Sequence, residues 1–289
     1  APYPGTSRVG VEGEKLKLWK FLDLSKQPRI DKFSAFILGA YHQDYTSLIK
    51  AIKSSYPAAR IGVCWTSSFG EMEFAQVECK ALASILQDPL IDFVWCGDRS
   101  LGTRLSNPKL FYAPYPMAEG KYISKPKTMS MTLLCPSTSK KNIANQVVAA
   151  HIVGQKFGLE LQTNTQVPEG LLSLAPVQVV HHSWMPWEMY VRLVQESRLN
   201  FVASYSETWN YQGAESVLMG TPCVGSQVIS YLPLQHCVHN PNDPEEIAAV
   251  AESILVDDKA VAHQQEVLLH RIGLNNVALR AAMGEHAIL

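Results

Sequence analysis

Two glutamates eight positions apart, Glu207 and Glu215, frame the stretch of this sequence best suited to chemistry. Between them Trp209, Asn210, Tyr211, Gln212 and Gly213 lead from a β-rich run into a short helix, and Gly220–Thr221–Pro222 closes that helix before another strand. Free backbone N–H groups at a helix N-terminus, here near Tyr211–Gly213, can hold a diphosphate. A carboxylate ahead of the helix can accept hydrogen bonds from sugar hydroxyls. A second, inside the helix, can take both ribose hydroxyls, as acidic residues do in dinucleotide sites. The arrangement suits a nucleotide-sugar site; the competing reading is helix capping and surface charge. Spacing alone is weak, since Glu188 and Glu196 share it within one expected helix and read as a solvated face. The strand–loop–helix–Gly-x-Pro–strand context carries the argument.

Other candidates stand at the ends of β-rich runs. Lys141 lies at the start of an expected helix, where it is either a phosphate ligand or a solvated cation. His42 follows the first strand, as an active-site group or a hydrogen-bonded structural residue. Trp184 can stack on a base or pack in the core. His181–His182 leads into the same loop and offers backbone contacts rather than imidazole chemistry. His236-x-x-His239 has no third ligand in sequence, which speaks against a metal. No G-x-G-x-x-G follows the first strand, and neither G-x-x-x-x-G-K-[ST] nor G-x-S-x-G occurs. This disfavours an ordinary dehydrogenase, a P-loop NTPase and an α/β-hydrolase.

The elements that must position these residues alternate regularly. Short β-rich runs at Ala35–Ala40, Arg60–Trp65, Ile91–Cys96 and Lys109–Ala113 read as strands, with helices from about Asp44 to Ser55 and Glu71 to Gln87. After the proline-rich break Pro114–Lys127, expected strands are Met131–Cys135, Leu159–Gln162, Val177–His181, Asn200–Ala203 and Pro222–Gly225. Helices are expected at Asn142–Phe157, Glu169–Leu174, Pro186–Ser197, Gly213–Met219, Pro244–Leu255 and Lys259–Ala282. Near-continuous apolar strands separated by helices predict parallel sheets covered on both faces. The fold class is therefore α/β, with domains expected at 1–120 and 121–289 and ligands outside the carboxyl ends of the strands.

Composition bounds the rest. The chain has 289 residues, 47% apolar and 18% charged, which suits a folded protein of one large or two ordinary domains. With 25 Lys+Arg against 26 Asp+Glu, the net charge of −1 gives no electrostatic reason to expect nucleic acid or an anionic membrane. No stretch is apolar enough to span a bilayer, and Ala1–Gly10 carries no signal pattern. Six scattered cysteines, several in apolar runs, read as buried thiols in a reducing compartment, so a cytoplasmic location is expected.

Four segments in chain order resemble the GT-B glycosyltransferases, closest to the retaining family-four type. Leu133–Asn142 (LLCPSTSKKN) is similar to that family's strand and loop at the donor diphosphate. Val179–Tyr190 (VVHHSWMPWEMY) is similar to the loop bordering the base, and Leu199–Gly225 to the paired-glutamate motif with its closing strand. Lys109–Met117 (KLFYAPYPM) resembles the P-N-G-V-D segment preceding the second domain. The resemblance implies two Rossmann-like domains, the N-terminal one short or truncated, since only about 30 residues precede Ala35. It places Lys141 on the phosphate-binding lysine, Glu207 near the donor sugar and Glu215 at the ribose. Ser137, Trp184 and Trp209–Gly213 then border the donor, with His42 as a further catalytic candidate. Trp209 stands for the family's Phe, Asn210 for its Gly and Pro136 for its Arg.

The function so implied is transfer of a hexosyl-type sugar from a nucleoside-diphosphate donor, with retention and without a metal or other cofactor. The acceptor is left open among glycan, lipid, protein and modified DNA base, as is oligomeric state. Two alternatives stand beside it: a catalytically inactive GT-B-like binding or assembly module, and a nucleotide-sugar epimerase.

Overall fold

The computed structural model describes residues 35–38, 45–68, 70, 72, 76–115, 125–135, 139–168, 170–174, 178–183 and 185–285. Contacts divide the chain into two compact units: Ala1–Ala118 with Ile272–Leu289, and Glu119–Arg271.

In the first unit the strands are β1 (Ala35–Leu38), β2 (Arg60–Trp65), β3 (Phe93–Cys96) and β4 (Leu110–Tyr112). All pair in parallel, in the order β1-β2-β3-β4. Parallel neighbours need a crossover, and the helices α1 (Tyr45–Ser55), α2 (Gln76–Gln87) and α3 (Arg99–Arg104) supply it. Ile49, Ile52, Leu82 and Ile85 of the first two pack with Ile61, Val63 and Val94 of the sheet. Each such fully buried side chain contributes roughly 1.5–3 kcal/mol. Asp98 caps α3 by accepting a hydrogen bond from Leu101 N at 3.0 Å. A Cβ on Gly62 would meet the Phe93 ring at 2.0 Å, so the side chain of β3 lies where any residue but glycine would intrude.

The second unit is built from β5 (Ser130–Leu133), α4 (Ile143–Phe157), β6 (Glu160–Thr163), α5 (Leu171–Leu174) and β7 (Val179–His181). It continues through α6 (Trp187–Glu196), β8 (Leu199–Val202), α7 (Tyr211–Leu218), β9 (Cys223–Ser226), β10 (Cys237–Val238) and α8 (Pro244–Val256). The final helix, α9, spans Ala260–Glu285. The strands lie in the order β10-β9-β8-β5-β6-β7, all parallel. Read by position, this is the doubly wound Rossmann order. The chain winds outward in one direction from β5 and in the other from β8, so the crevice lies where these two adjacent strands end.

Period-two alternation divides the central strands. Met131, Leu133, Leu199 and Phe201 join Val147, Ala150 and Val153 of α4 and Ile247, Ala251 and Ile254 of α8 in one core. The opposite face is buried but polar: Thr132 Oγ1 donates to Asn200 Oδ1 at 3.0 Å, and Ser130 and Ser197 hydroxyls meet at 3.2 Å. Buried hydroxyls and amides persist because they satisfy one another.

Most predicted elements appear within a few residues of their expected bounds. The short helix α3 and strand β10 were not anticipated; the first has only six residues and the second two. No helix among the described residues is long and apolar enough to cross a membrane.

Candidate functional site at the β5–β8 crevice

Both loops leaving the crevice are stitched together by main-chain and amide contacts. After β5, a single 3-10 turn, Ser139–Lys141, precedes α4. Asn142, the N-cap of α4, adopts φ 54° and ψ 44°, a left-handed conformation that asparagine tolerates better than most residues. Its side-chain amide reaches across to Ala203 O at 3.0 Å and Pro241 O at 2.5 Å. Gln146, one turn further, accepts from Ala203 N at 2.7 Å and donates to Lys141 O at 2.6 Å. Tyr205 N donates to Lys140 O at 2.8 Å. The loop carrying Lys141 and the loop carrying Glu207 are thus held in fixed register.

The outcome is a direct ion pair between Lys141 Nζ and Glu207 Oε1, with side chains only 12% and 6% exposed. Asn210 Nδ2 donates to the same Oε1 at 3.2 Å, while Asn210 Oδ1 caps α7 by accepting from Gly213 N at 2.8 Å. One asparagine therefore fixes the glutamate and opens the helix. Its carbonyl accepts from Tyr231 Oη at 2.5 Å, and the Tyr231 ring packs against Trp209 with centroids 4.8 Å apart. A Cβ on Gly213 would meet Tyr231 Oη at 2.5 Å, which explains glycine in the first turn of α7. Full burial pushes the Tyr231 phenol well above its ordinary range, keeping it a neutral donor. The indole N–H of Trp209 is buried with no hydrogen-bond partner.

Glu215, the other motif glutamate, is 6% exposed on α7, and its Oε2 accepts from Tyr190 Oη of α6 at 3.2 Å. Gln212 turns toward the sheet, donating to Asn200 Oδ1 at 3.4 Å. Tyr211 is the first residue of α7 and is half-buried. His182, just past the end of β7, meets Gln162 Oε1 of β6 at 2.6 Å. His42, Ser137 and Trp184 lie outside the described residues, as does Pro136.

The structure thus brings together Lys141, Glu207, Trp209, Asn210 and Gly213, with Glu215 further along α7. Residues that sequence reasoning missed are those that hold this group: Asn142, Gln146, Tyr190 and Tyr231. Only Asn142 carried a local signal, as an asparagine at a helix start. In the first unit, beyond the end of β2, buried Ser67 donates to Glu78 and Tyr115 Oη donates to Trp65 O.

No protein-family model and no curated protein matches the sequence at a significant level. Solved structures do match in three dimensions. An α,α-trehalose-phosphate synthase (UDP-forming) from Burkholderia xenovorans, in complex with glucose-6-phosphate, superposes with a TM-score of 0.61 at 13% identity, covering 93% of this chain and 76% of its own. The N-terminal domain of Candida albicans trehalose-6-phosphate phosphatase gives a TM-score of 0.61 at 12% identity, covering 88% and 69%. TarM of S. aureus, in complex with fondaparinux, α-GlcNAc-glycerol and UDP, gives 0.59 at 11% identity, covering 78% and 50%. The trehalose-phosphate synthases and TarM are GT-B glycosyltransferases. At such identities the likeness is one of architecture, and it agrees with the doubly wound order of the second sheet: this chain has the Rossmann-like α/β fold known as GT-B.

Proposed function

We propose that the protein is a retaining glycosyltransferase that moves a hexosyl-type sugar from a nucleoside-diphosphate donor to an acceptor hydroxyl. The observation that carries this reading is the meeting of Lys141 and Glu207 at the point where the strand order reverses, the position at which doubly wound sheets bind their ligands. The glucose-6-phosphate and UDP bound to the structural neighbours support a sugar-nucleotide reaction.

In this reading Lys141 faces the donor diphosphate beside the N-terminus of α7, and no metal or other cofactor takes part. The bond between the anomeric carbon and the phosphate oxygen breaks, leaving its electron pair on the diphosphate. Lys141 neutralises that charge where it develops. The acceptor oxygen bonds to the anomeric carbon on the face the diphosphate leaves, and the acceptor proton passes to the departing phosphate oxygen. Glu207 orients the sugar hydroxyls, Trp209 and Asn210 shape the pocket beside it, and Glu215 takes the ribose hydroxyls. We assign the reaction to the cytoplasm, a placement supported by the unpaired buried thiols Cys64, Cys96, Cys135, Cys223 and Cys237.

The test is donor hydrolysis and transfer by the wild type and by Glu207→Ala across nucleoside-diphosphate sugars. Turnover that falls by a hundredfold or more in the variant, a loss of the size seen when one transition-state contact is removed, supports the assignment. Equal turnover sinks it. A second reading, a GT-B-like module without catalysis, draws support from the ion pair itself, since Lys141 is already engaged by Glu207. Nucleotide binding without any donor hydrolysis would select it.

A further inference from the structure

Glu215 is nearly enclosed, and a buried carboxylate needs hydrogen-bond donors to remain charged. One comes from outside its own helix: Tyr190 Oη at 3.2 Å. Tyr190 has little freedom. It lies in the first turn of α6, where its N–H donates to Pro186 O at 3.0 Å, and its ring stacks on Trp187 three residues earlier, with centroids 5.1 Å apart and planes 30° apart. Trp187, Tyr190, Val191 and Leu193 pack against Leu134, just past β5, against Val194 of the same helix, and against Met219, at the end of α7. The face of α6 is therefore anchored to the helix that carries Glu215 and to the strand that leads to Lys141.

Resting on the proposed donor site, we infer that Tyr190 is a positioning residue for Glu215. It holds the carboxylate to accept both hydroxyls of a ribose, so the site takes ribonucleoside-diphosphate sugars and discriminates against their 2′-deoxy and thymidine counterparts. A glutamate side chain has three torsions, and an unrestrained carboxylate must be ordered each time a ligand binds. The phenol removes that freedom in advance. A carboxylate offers about four acceptor positions, and Tyr190 occupies one of them. Trp187 fixes the ring that makes this contact. The discrimination arises because a site built to accept a hydroxyl leaves its buried acceptor unpaired when that hydroxyl is missing.

The experiment is calorimetric titration of the full chain with UDP, ADP and GDP and with dUDP, dADP, dGDP and dTDP. It is done for the wild type, Tyr190→Phe, Glu215→Gln and the double variant. The wild type should prefer one ribonucleotide over its 2′-deoxy form by roughly tenfold, the worth of one hydrogen bond to a charged group. Tyr190→Phe should reduce that ratio to about threefold or less, with deoxy affinity changed less than twofold, and should add nothing once Glu215 is Gln. A merely structural tyrosine would weaken both nucleotides alike and leave the ratio intact. That result overturns the inference and spares the donor site. A wild type that binds ribo and deoxy forms equally also overturns it. A wild type that binds no nucleoside diphosphate overturns both the inference and the proposed function.

Discussion

Lys141 and Glu207, 66 residues apart in the chain, form an ion pair that is almost closed to solvent. Each carboxylate or ammonium taken out of water costs several kcal/mol, which only a well-placed opposite charge offsets. Lys141→Met strands a buried carboxylate and should lower the unfolding free energy by about 3 kcal/mol. Adding Glu207→Gln to that variant should recover much of the loss. Urea denaturation of the single and double variants measures the coupling; additive losses would mean that the two charges do not stabilise one another.

Asn210 performs two tasks with one amide, capping α7 and donating to Glu207. Asn210→Ser retains a cap and loses the donation; Asn210→Ala loses both. Stability should fall in the order Asn, Ser, Ala, with about 1 kcal/mol between the last two. Nucleotide affinity should already fall at Ser. Melting curves and titrations of the same two variants separate the tasks.

His236 sets a pH dependence. Gln264 Oε1 accepts from Cys223 N at 2.8 Å, so the amide nitrogen that donates to Cys223 O at 2.7 Å also faces His236 Nδ1 at 3.0 Å. Nδ1 must then be an unprotonated acceptor. Burial, followed by the neighbouring His263, holds the His236 pKa below its ordinary value, against a smaller opposing pull from Asp257. The unfolded chain takes up this proton more readily than the folded one, so the contribution is intact above the unfolded value near 6.5 and is lost as pH falls below it. The melting temperature should decline below that pH, and His236→Asn, whose Oδ1 can accept in place of Nδ1, should flatten the decline. Differential scanning calorimetry between pH 5 and 7.5 tests this; an equal slope in both proteins contradicts it.

Thiol reactivity should be confined to one position. Burial pushes the thiols of Cys64, Cys96, Cys223 and Cys237 up to about 12 and raises Cys135, whereas Cys79 is exposed on α2. Thiolate is the reactive form. Iodoacetamide at pH 8 should label Cys79 at least tenfold faster than any other cysteine, as read by peptide mass mapping. Rapid labelling of Cys223 or Cys237 would mean that the β9–β10 edge opens readily.

The sheets were legible because strand periodicity, helix length and Pro–Gly punctuation are local properties. Arg60–Trp65 is a short β-rich run between turn residues, and it is observed with those bounds. The expected start of α7 at Gly213 falls two residues late, because its cap, Asn210, works through a side-chain contact to Gly213 N rather than through hydrophobic period. The glutamate pair was likewise visible from its strand–loop–helix setting. The residues that hold it were not. Gln146 reads as one more polar position in α4, and Tyr190 as one more aromatic in α6; their roles arise only when β5 lies beside β8. Tyr231 is marked by nothing in sequence, since its phenol meets a carbonyl 21 residues away.

The pairing of β5 with β8, Met131 opposite Leu199, has a consequence for the order in which the molecule becomes competent. Local βαβ units can assemble as soon as each crossover helix is made, but this pair closes a loop of roughly 70 residues, whose entropy must be lost before its contacts are gained. A nascent chain that has left the ribosome only through β7 holds Lys141 with no Glu207 to meet it. If the proposed donor site holds, affinity for a nucleotide is acquired in one late step rather than accumulated strand by strand, and nucleotide binding would report on completed assembly of the second unit.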